Sequence, residues 1–281
     1  MLDLSVTIST LNEEENIEEC LKHMVRQSPK EIIVCDGGSD DRTREIAAKY
    51  ATKVINVGRK GLGFQRKTAV DAASCKYIAT IDADQRFERE AFKLLIEELE
   101  KNGYAGIEAQ IISVYNKGYW DWAMEQNFKL THNMPGPRIV IGGPCVYRGE
   151  VIKKINFDPF FIGTGEDTDL SYRLVKNGYK LGVGTPKCFQ EHRSDFNSFR
   201  KKWIWYGEGD ARFCYKHPER TLSILKHQLF NYPIKKSLIA LSKFNISVVP
   251  FFILCGLFRF YGMVRLLPRL LIGKDTIIYR T

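Results

Sequence analysis

Two acidic clusters in this chain stand where carboxylates commonly do chemistry. Asp82-Ala83-Asp84 directly follows the apolar run Tyr77–Ile81, and Gly165-Glu166-Asp167-Thr168-Asp169 opens a later segment of helical apolar period. A buried strand that stops in two carboxylates presents hard oxygen donors, which suit Mg²⁺ or Mn²⁺ beside phosphate groups. Spaced two apart, Asp82 and Asp84 point to one side if the backbone there is extended. They are the candidate metal ligands. Asp167 is the candidate general base, with Glu166 beside it to orient an acceptor. D-x-D alone is a weak pattern, since Asp167-Thr168-Asp169 is a second match. A solvated strand-end turn is the other reading of residues 82–84, and charge balance at a helix start is the other reading of 166–169.

A third candidate is Arg59-Lys60-Gly61-Leu62-Gly63-Phe64-Gln65-Arg66, a basic, glycine-bearing entry to a helix. Such a helix start receives phosphate, with Arg66 as its cation, or is simply solvated. Asp36, in Asp36-Gly37-Gly38-Ser39, is either a ligand-binding carboxylate or a turn residue before a helix.

These residues need elements to position them. The first half alternates strand and helix: strand Leu4–Ser9, helix Glu14–Gln27, strand Glu31–Cys35, helix Asp41–Tyr50, strand Lys53–Val57, helix Gly63–Ala73, strand Tyr77–Ile81 and helix Glu88–Lys101. One helix between successive strands implies right-handed crossovers and a mostly parallel, Rossmann-like sheet flanked by helices. Ligands of such sheets bind beyond the carboxyl ends of the strands, the edge that holds Asn12, Asp36 and Asp82. After Gly103 the expected elements are a strand over Ala105–Val114, a helix over Tyr119–Lys129, a strand over Arg138–Tyr147 interrupted by Gly142-Gly143-Pro144, a helix over Glu166–Lys176 and a short strand near Leu181–Val183, leading to His192.

At 281 residues the chain is long enough for one full core with an appendage. No signal peptide is evident at the start, since Asp3 follows Met1-Leu2. The cysteines (20, 35, 75, 145, 188, 214 and 255) are scattered singly, which argues against zinc and fits a reducing compartment. The net charge of +9 is concentrated at one end. From Lys216 onward eleven Lys and Arg face only Glu219 and Asp275, so residues 1–215 sum to zero. Because that same tail is strongly apolar, the basic excess points to an anionic membrane surface rather than to nucleic acid.

The order of motifs is specific. Val6-Thr-Ile-Ser-Thr-Leu-Asn-Glu-Glu-Glu-Asn-Ile17, Glu31-Ile-Ile-Val-Cys-Asp-Gly-Gly-Ser-Asp-Asp-Arg-Thr43, Ile81-Asp-Ala-Asp84, Gly165-Glu-Asp167 and then His192 resembles glycosyltransferase family 2 over residues 1–210. The resemblance implies the GT-A fold and an inverting sugar transfer. It places Ser9, Leu11 and Glu13 against the nucleoside and Asp36 on the base. It sets Asp82 and Ala83 near the ribose and metal, makes Asp84 the direct ligand, and brings Arg66 near the diphosphate. His192 becomes a third metal ligand or a phosphate contact. Processive members carry Q-x-x-R-W after this point. Here Arg200 and Trp203 are three apart with no Gln at the required place, which puts polymer synthesis in doubt. Residues 199–209 are an amphipathic helix on one reading; on the other, Trp203 stacks on a sugar.

Residues 211–281 are expected to form a helical membrane-associating region. Asn245–Phe258 is too short to cross a bilayer core, and Pro250, Pro268, Arg259, Arg265 and Arg269 break or burden the longer stretch. The expected protein is therefore a peripheral or monotopic enzyme at the cytoplasmic face of a membrane. It takes a UDP- or GDP-linked sugar, with Mg²⁺ or Mn²⁺, and passes it to a hydroxyl or phosphate acceptor, lipid-linked or glycan. Two other classes compete. A sugar-nucleotide nucleotidyltransferase calls for G-x-G-x-R after the first strand, where this chain has Leu11-Asn12-Glu13-Glu14-Glu15. A non-catalytic membrane scaffold with a nucleotide pocket would not need both Asp84 and Asp167.

Overall fold

The computed structural model describes residues 1–114, 118–192 and 194–273. The chain forms two compact units. The first comprises Met1–Ile112, Met134–Ile162 and Glu166–Glu191; the second takes in Ser113–Asn133, Gly163–Gly165 and the chain from His192.

In chain order the elements are β1 (Leu2–Thr10), α1 (Ile17–Arg26), β2 (Pro29–Asp36), α2 (Thr43–Ala47), β3 (Lys53–Asn56), α3 (Leu62–Ala72), β4 (Tyr77–Asp82), β5 (Gln85–Phe87), α4 (Ala91–Asn102) and β6 (Gly106–Ser113). After α5 (Tyr119–Thr131) come β7 (Gly136–Arg138), β8 (Cys145–Arg148), α6 (Gly149–Ile155), α7 (Glu166–Lys176) and β9 (Leu181–Gln190). The second unit continues with α8 (Phe196–Lys216), α9 (Thr221–Lys226), a π-helix (His227–Lys236), α10 (Ser237–Ser242) and α11 (Val249–Leu271).

The strands make one sheet in the order β3-β2-β1-β4-β8-β6-β9-β5, with β7 paired to β9. Strands β3, β2, β1 and β4 are parallel, as the strand–helix alternation predicts. Beyond β4 the sheet turns antiparallel, at β4–β8, β8–β6, β9–β5 and β9–β7. The sheet is therefore mixed. The expected strand over Arg138–Tyr147 resolves into two short ones, because Gly142-Gly143-Pro144 cannot continue a ladder.

Side-chain alternation along the strands builds the layers. Leu4, Val6 and Ile8 of β1 pack with Ile17, Leu21 and Met24 of α1 and Phe92, Leu95 and Leu99 of α4. On the opposite face Ile78 of β4 packs with Val70 of α3 and Leu170 and Leu174 of α7. Each of these large side chains contributes about 1.5–3 kcal/mol when fully buried. Because Ile78 faces α3 and α7, so do Thr80 and Asp82 two and four residues later. That single periodicity delivers Asp82 to the layer that carries Arg66 and Asp167.

The second unit has its own core of Phe199, Trp203, Tyr232, Phe251, Phe252 and Cys255. Helices α8 and α11 approach closely through glycines: a Cβ on Gly207 would lie 1.9 Å from the Arg259 carbonyl, and one on Gly262 would lie 2.1 Å from that of Ile204. Helix α11 corrects one expectation. It is a single helix of 23 residues: Pro250 sits in its first turn, where proline is tolerated, and the helix continues through Pro268, which lies inside its last turns. Ile246–Leu271 is long and apolar enough to cross a membrane, with mean hydropathy 1.8. The last residues of the expected tail region, 274–281, lie outside the described residues.

Candidate active site

Helix α3 begins at Gly61, whose φ of 93° favours glycine and whose Cβ position would fall 2.6 Å from Ile162 Cα. Its first amides are already used: Leu62 N–H donates to Ile162 and Gly63 N–H to Phe161. These amides are therefore not free for an incoming phosphate, which leaves the Arg66 side chain as the functional part of the segment. Arg66 is buried, with its guanidinium over the Phe157 ring.

That guanidinium gathers three carboxylates. Arg66 Nη1 donates to Asp167 Oδ1 at 2.6 Å and lies 3.6 Å from Glu166 Oε1, while Nη2 donates to Asp82 Oδ1 at 2.9 Å. Burial alone would lower the Arg66 pKa, but Asp167, Asp82 and Glu166 reverse that and raise it. Burial pushes Glu166 up to about 8, helped by Asp167. It pushes Asp167 up to about 6, with Arg66 opposing. Burial thus favours the neutral form of Glu166, whose Oε2 is buried with no hydrogen-bond partner among the described residues. Asp167 is a carboxylate whose titration lies close to the working range of a general base.

Asp167 is held from a second side. Gly143 N–H donates to its Oδ2 at 3.2 Å, and a Cβ on Gly142 would come within 3.1 Å of the same oxygen. The sequence reading took Gly142 and Gly143 only as an interruption of a strand, although two glycines inside a strand pattern also signal a close backbone approach.

Asp84 does not share an extended face with Asp82. Strand β4 ends at Asp82, and residues 83 and 84 form a turn into β5. The geometry inferred from spacing is therefore corrected. Asp82 reaches Arg66, whereas Asp84 Oδ2 accepts from Gln190 Nε2 at 2.9 Å across the β5–β9 pairing. Gln190 carried no signal in the sequence. Gln85 accepts from Asp82 N–H and fixes the turn, and Ala83 is buried between the two acids.

On β1 the register sets Ser9 beside Asp82 and Thr10 beside Asp36. Leu11 is 43 % exposed at the strand end. Glu13 N–H donates to Thr43 Oγ1, and its carboxylate accepts from Asn16. Asp36 is fully buried and builds its own loop: it accepts from Gly38 N–H, Ser39 N–H, the Ser39 hydroxyl and Thr10 Oγ1. The turn role is thus present in the structure. Asp169 is paired with Arg173, whose guanidinium also donates to the carbonyls of Ile155 and Asn156. It anchors α7 rather than serving the site.

His192 belongs to the second unit, where its ring stacks on Phe128 at 5.6 Å and burial pushes its pKa down to about 3. Trp203 is 2 % exposed inside that unit's aromatic core, so it presents no face to a sugar. Among the described residues no three His, Cys, Asp or Glu side chains form a ready metal cage. The donor set of Asp82 and Asp84 nonetheless suits a hard cation. Both are carboxylates that keep some exposure at the carboxyl edge of a central strand, so phosphate and water oxygens have room to complete the shell.

Comparison with known proteins agrees with this geometry. The profile of glycosyl transferase family 2 matches residues 5–155. The uncharacterized glycosyltransferase EpsJ of Bacillus subtilis is 37 % identical over 106 residues, covering 35 % of this chain and 31 % of its own length. The dolichol-phosphate mannosyltransferase of Pyrococcus furiosus is 34 % identical over 204 residues, 67 % of this chain and 56 % of its own. The chain thus spans roughly a third to a half of these relatives. Among solved structures, the mannosyltransferase PcManGT of Pyrobaculum calidifontis, in complex with GDP-Man and Mn²⁺, shares the fold. Its TM-score is 0.66 at 14 % identity, covering 94 % of this chain and 87 % of that one.

Proposed function

The chain belongs to glycosyl transferase family 2, and from that membership we propose that it moves a sugar from a nucleotide-diphospho-sugar to a hydroxyl or phosphate acceptor, lipid-linked in preference to free, with inversion at the anomeric carbon. The observation that carries this reading is the meeting of Asp82, Glu166 and Asp167 on one buried guanidinium, at the sheet edge where ligands of such folds bind. The relative from Pyrococcus, named for dolichol phosphate, supports a lipid acceptor. The mannosyltransferase complex supports a nucleotide-sugar donor with a divalent ion.

In this mechanism the donor lies over the ends of β1, β2 and β4, with Ser9, Leu11, Glu13 and Asp36 around the nucleoside. Asp84, with Asp82, would hold Mg²⁺ or Mn²⁺. When bound, the ion supplies positive charge to the departing diphosphate. Asp167 accepts the proton of the acceptor hydroxyl as its oxygen bonds to the anomeric carbon. In the same displacement the bond from that carbon to the diphosphate breaks, and the nucleoside diphosphate leaves. Arg66 and the Gly143 amide keep the Asp167 carboxylate on line. Glu166, beside it, orients the acceptor. The basic, apolar second unit keeps the enzyme at the cytoplasmic membrane surface as a peripheral or monotopic protein.

The direct test is binding of UDP-, GDP- and dTDP-sugars with and without Mn²⁺, read as a thermal shift. One nucleotide family should stabilise the protein in a Mn²⁺-dependent way, and Asp84→Ala should abolish that dependence. No shift with any of them would defeat the proposal.

A further inference from the structure

We propose that α11 lies flat in the surface of an anionic bilayer, with one face fixed to its own unit and the other in lipid. This deepens the membrane-associated reading above and rests on it.

The outer face is a stripe. Ile253, Leu257, Tyr261, Val264, Pro268 and Leu271 follow one another at intervals of three and four, so they share one side of the helix. All six are exposed: Leu257 and Tyr261 at 52 % and Leu271 at 68 %. Over these residues the helix is about 27 Å long. A soluble protein rarely leaves so continuous an apolar strip in water. The preceding helices add Phe230, Ile234, Leu238 and Leu241, and beyond them Phe244 is 93 % exposed.

Charge identifies the occupant. From Thr221 to Gly273 there is no Asp or Glu. Lys226, Lys235, Lys243 and Arg269 are exposed there, and among the described residues they make no ion pair. Apolar side chains flanked by unpaired cations, with no acid in the segment, complement anionic headgroups over an acyl layer.

The inner face decides between lying and crossing. Arg259 forms a two-pronged ion pair with Asp210 of α8, and Gln228 donates to the same carboxylate. Gly207 and Gly262 hold the two backbones in contact. Helix α8 also carries Arg200, Lys201, Lys202, Glu208 and Arg212, too much charge for hydrocarbon. A helix fastened to such a partner cannot pass through the bilayer, although its length and composition would allow it.

The test uses the full chain with vesicles of phosphatidylcholine alone or mixed with phosphatidylglycerol. The protein should float with the anionic vesicles. Leu257→Asp/Val264→Asp should lower the bound fraction at least ~10-fold, since a charge entering the acyl boundary is strongly disfavoured. Lys235→Glu/Lys243→Glu, which leaves the packed face untouched, should lower it at low salt even if the first pair misfolds. Fluorophores on Ile253→Cys, Leu257→Cys, Val264→Cys and Leu271→Cys then report depth by quenching from spin-labelled lipids. The native cysteines are all buried, so labelling is selective. Equal, shallow quenching at the four sites is expected. Depth that changes steadily along the helix would show a crossing helix, and absence of flotation would show a packing surface; either overturns the proposal. A chain that floats yet binds no nucleotide sugar would leave this inference standing and defeat only the transfer reading.

Discussion

Arg66 and Asp167, 101 positions apart in sequence, meet at 2.6 Å, and the same guanidinium reaches Asp82 at 2.9 Å. The proposed base is therefore held by a cation fixed to another helix. Burial lifts Asp167 to about 6 and Arg66 opposes the rise. Only the deprotonated form accepts a proton, so kcat/KM, which reports the free enzyme, should fall as pH drops through about 6. Arg66→Met removes the positive charge and should move this limb to higher pH. A pH profile checks both; a limb that stays in place would exclude Arg66 as the residue that sets the base.

Asp167→Asn keeps the shape and removes the proton acceptor. Donor affinity should stay within a few-fold of wild type, while transfer to a hydroxyl acceptor falls by ~10²-fold or more. Calorimetric donor binding alongside initial rates separates the two effects. If transfer survives, Glu166 is the next candidate for the base.

Gly142 leaves room for the base. A methyl group there would sit 3.1 Å from the Asp167 carboxylate and must push it aside by a few tenths of an ångström. Gly142→Ala should lower kcat about tenfold with little change in donor KM, because displaced reacting groups lose rate rather than binding. An equal loss in both would indicate a damaged fold instead.

Asp84 and Asp82 should differ. Asp84→Ala should remove the Mn²⁺-dependent part of nucleotide binding, measured by titration with and without the ion. Asp82→Ala should weaken both nucleotide and metal binding and also strip Arg66 of one carboxylate. Unchanged Mn²⁺ dependence in the Asp84 variant would remove it from the metal site.

Strand–helix alternation made the parallel half of the sheet legible, because each apolar run is bounded by turn residues and followed by a helical period. The α7 boundaries, Glu166–Lys176, and the order of the acidic motifs were legible for the same reason. In the antiparallel half only β6 and the start of β9 were legible. Strand β5 is three residues long, and β7 and β8 are separated by glycines and a proline that hide the pairing. Within the site, Asp82, Glu166 and Asp167 could be named from sequence. That Arg66 joins them depends on the depth of α3, which no spacing encodes, and Asp84 does not share a face with Asp82 because β4 stops at Asp82, two residues short of the extended run that the spacing assumed. The single long α11 was missed because proline was weighed by its presence rather than its place in the helix.

Arg259 and Asp210 form the buried pair that fastens α11 to α8. Arg259→Met should destabilise the second unit by about 3–5 kcal/mol by leaving Asp210 buried without its cation. Arg259→Met/Asp210→Leu should recover much of that loss, since an apolar pair does not strand a charge. Denaturant unfolding of the single and double variants measures the difference; equal losses in both would mean that the pair acts through packing alone.

The most direct test of the account is sugar transfer itself. The full chain is incubated with Mn²⁺, a radiolabelled UDP- or GDP-sugar, and vesicles of membrane lipid extract containing polyprenyl phosphate and polyprenyl-linked sugars, and label is counted in the organic phase. The account predicts label in lipid from one donor, dependent on Mn²⁺; transfer to the hydroxyl of a polyprenyl-linked sugar should fall ~10²-fold or more in Asp167→Asn with donor binding intact, whereas an ionised phosphate acceptor has no such proton to lose. No label from any donor, or an Asn variant that transfers to a hydroxyl acceptor nearly as well as wild type, would contradict it.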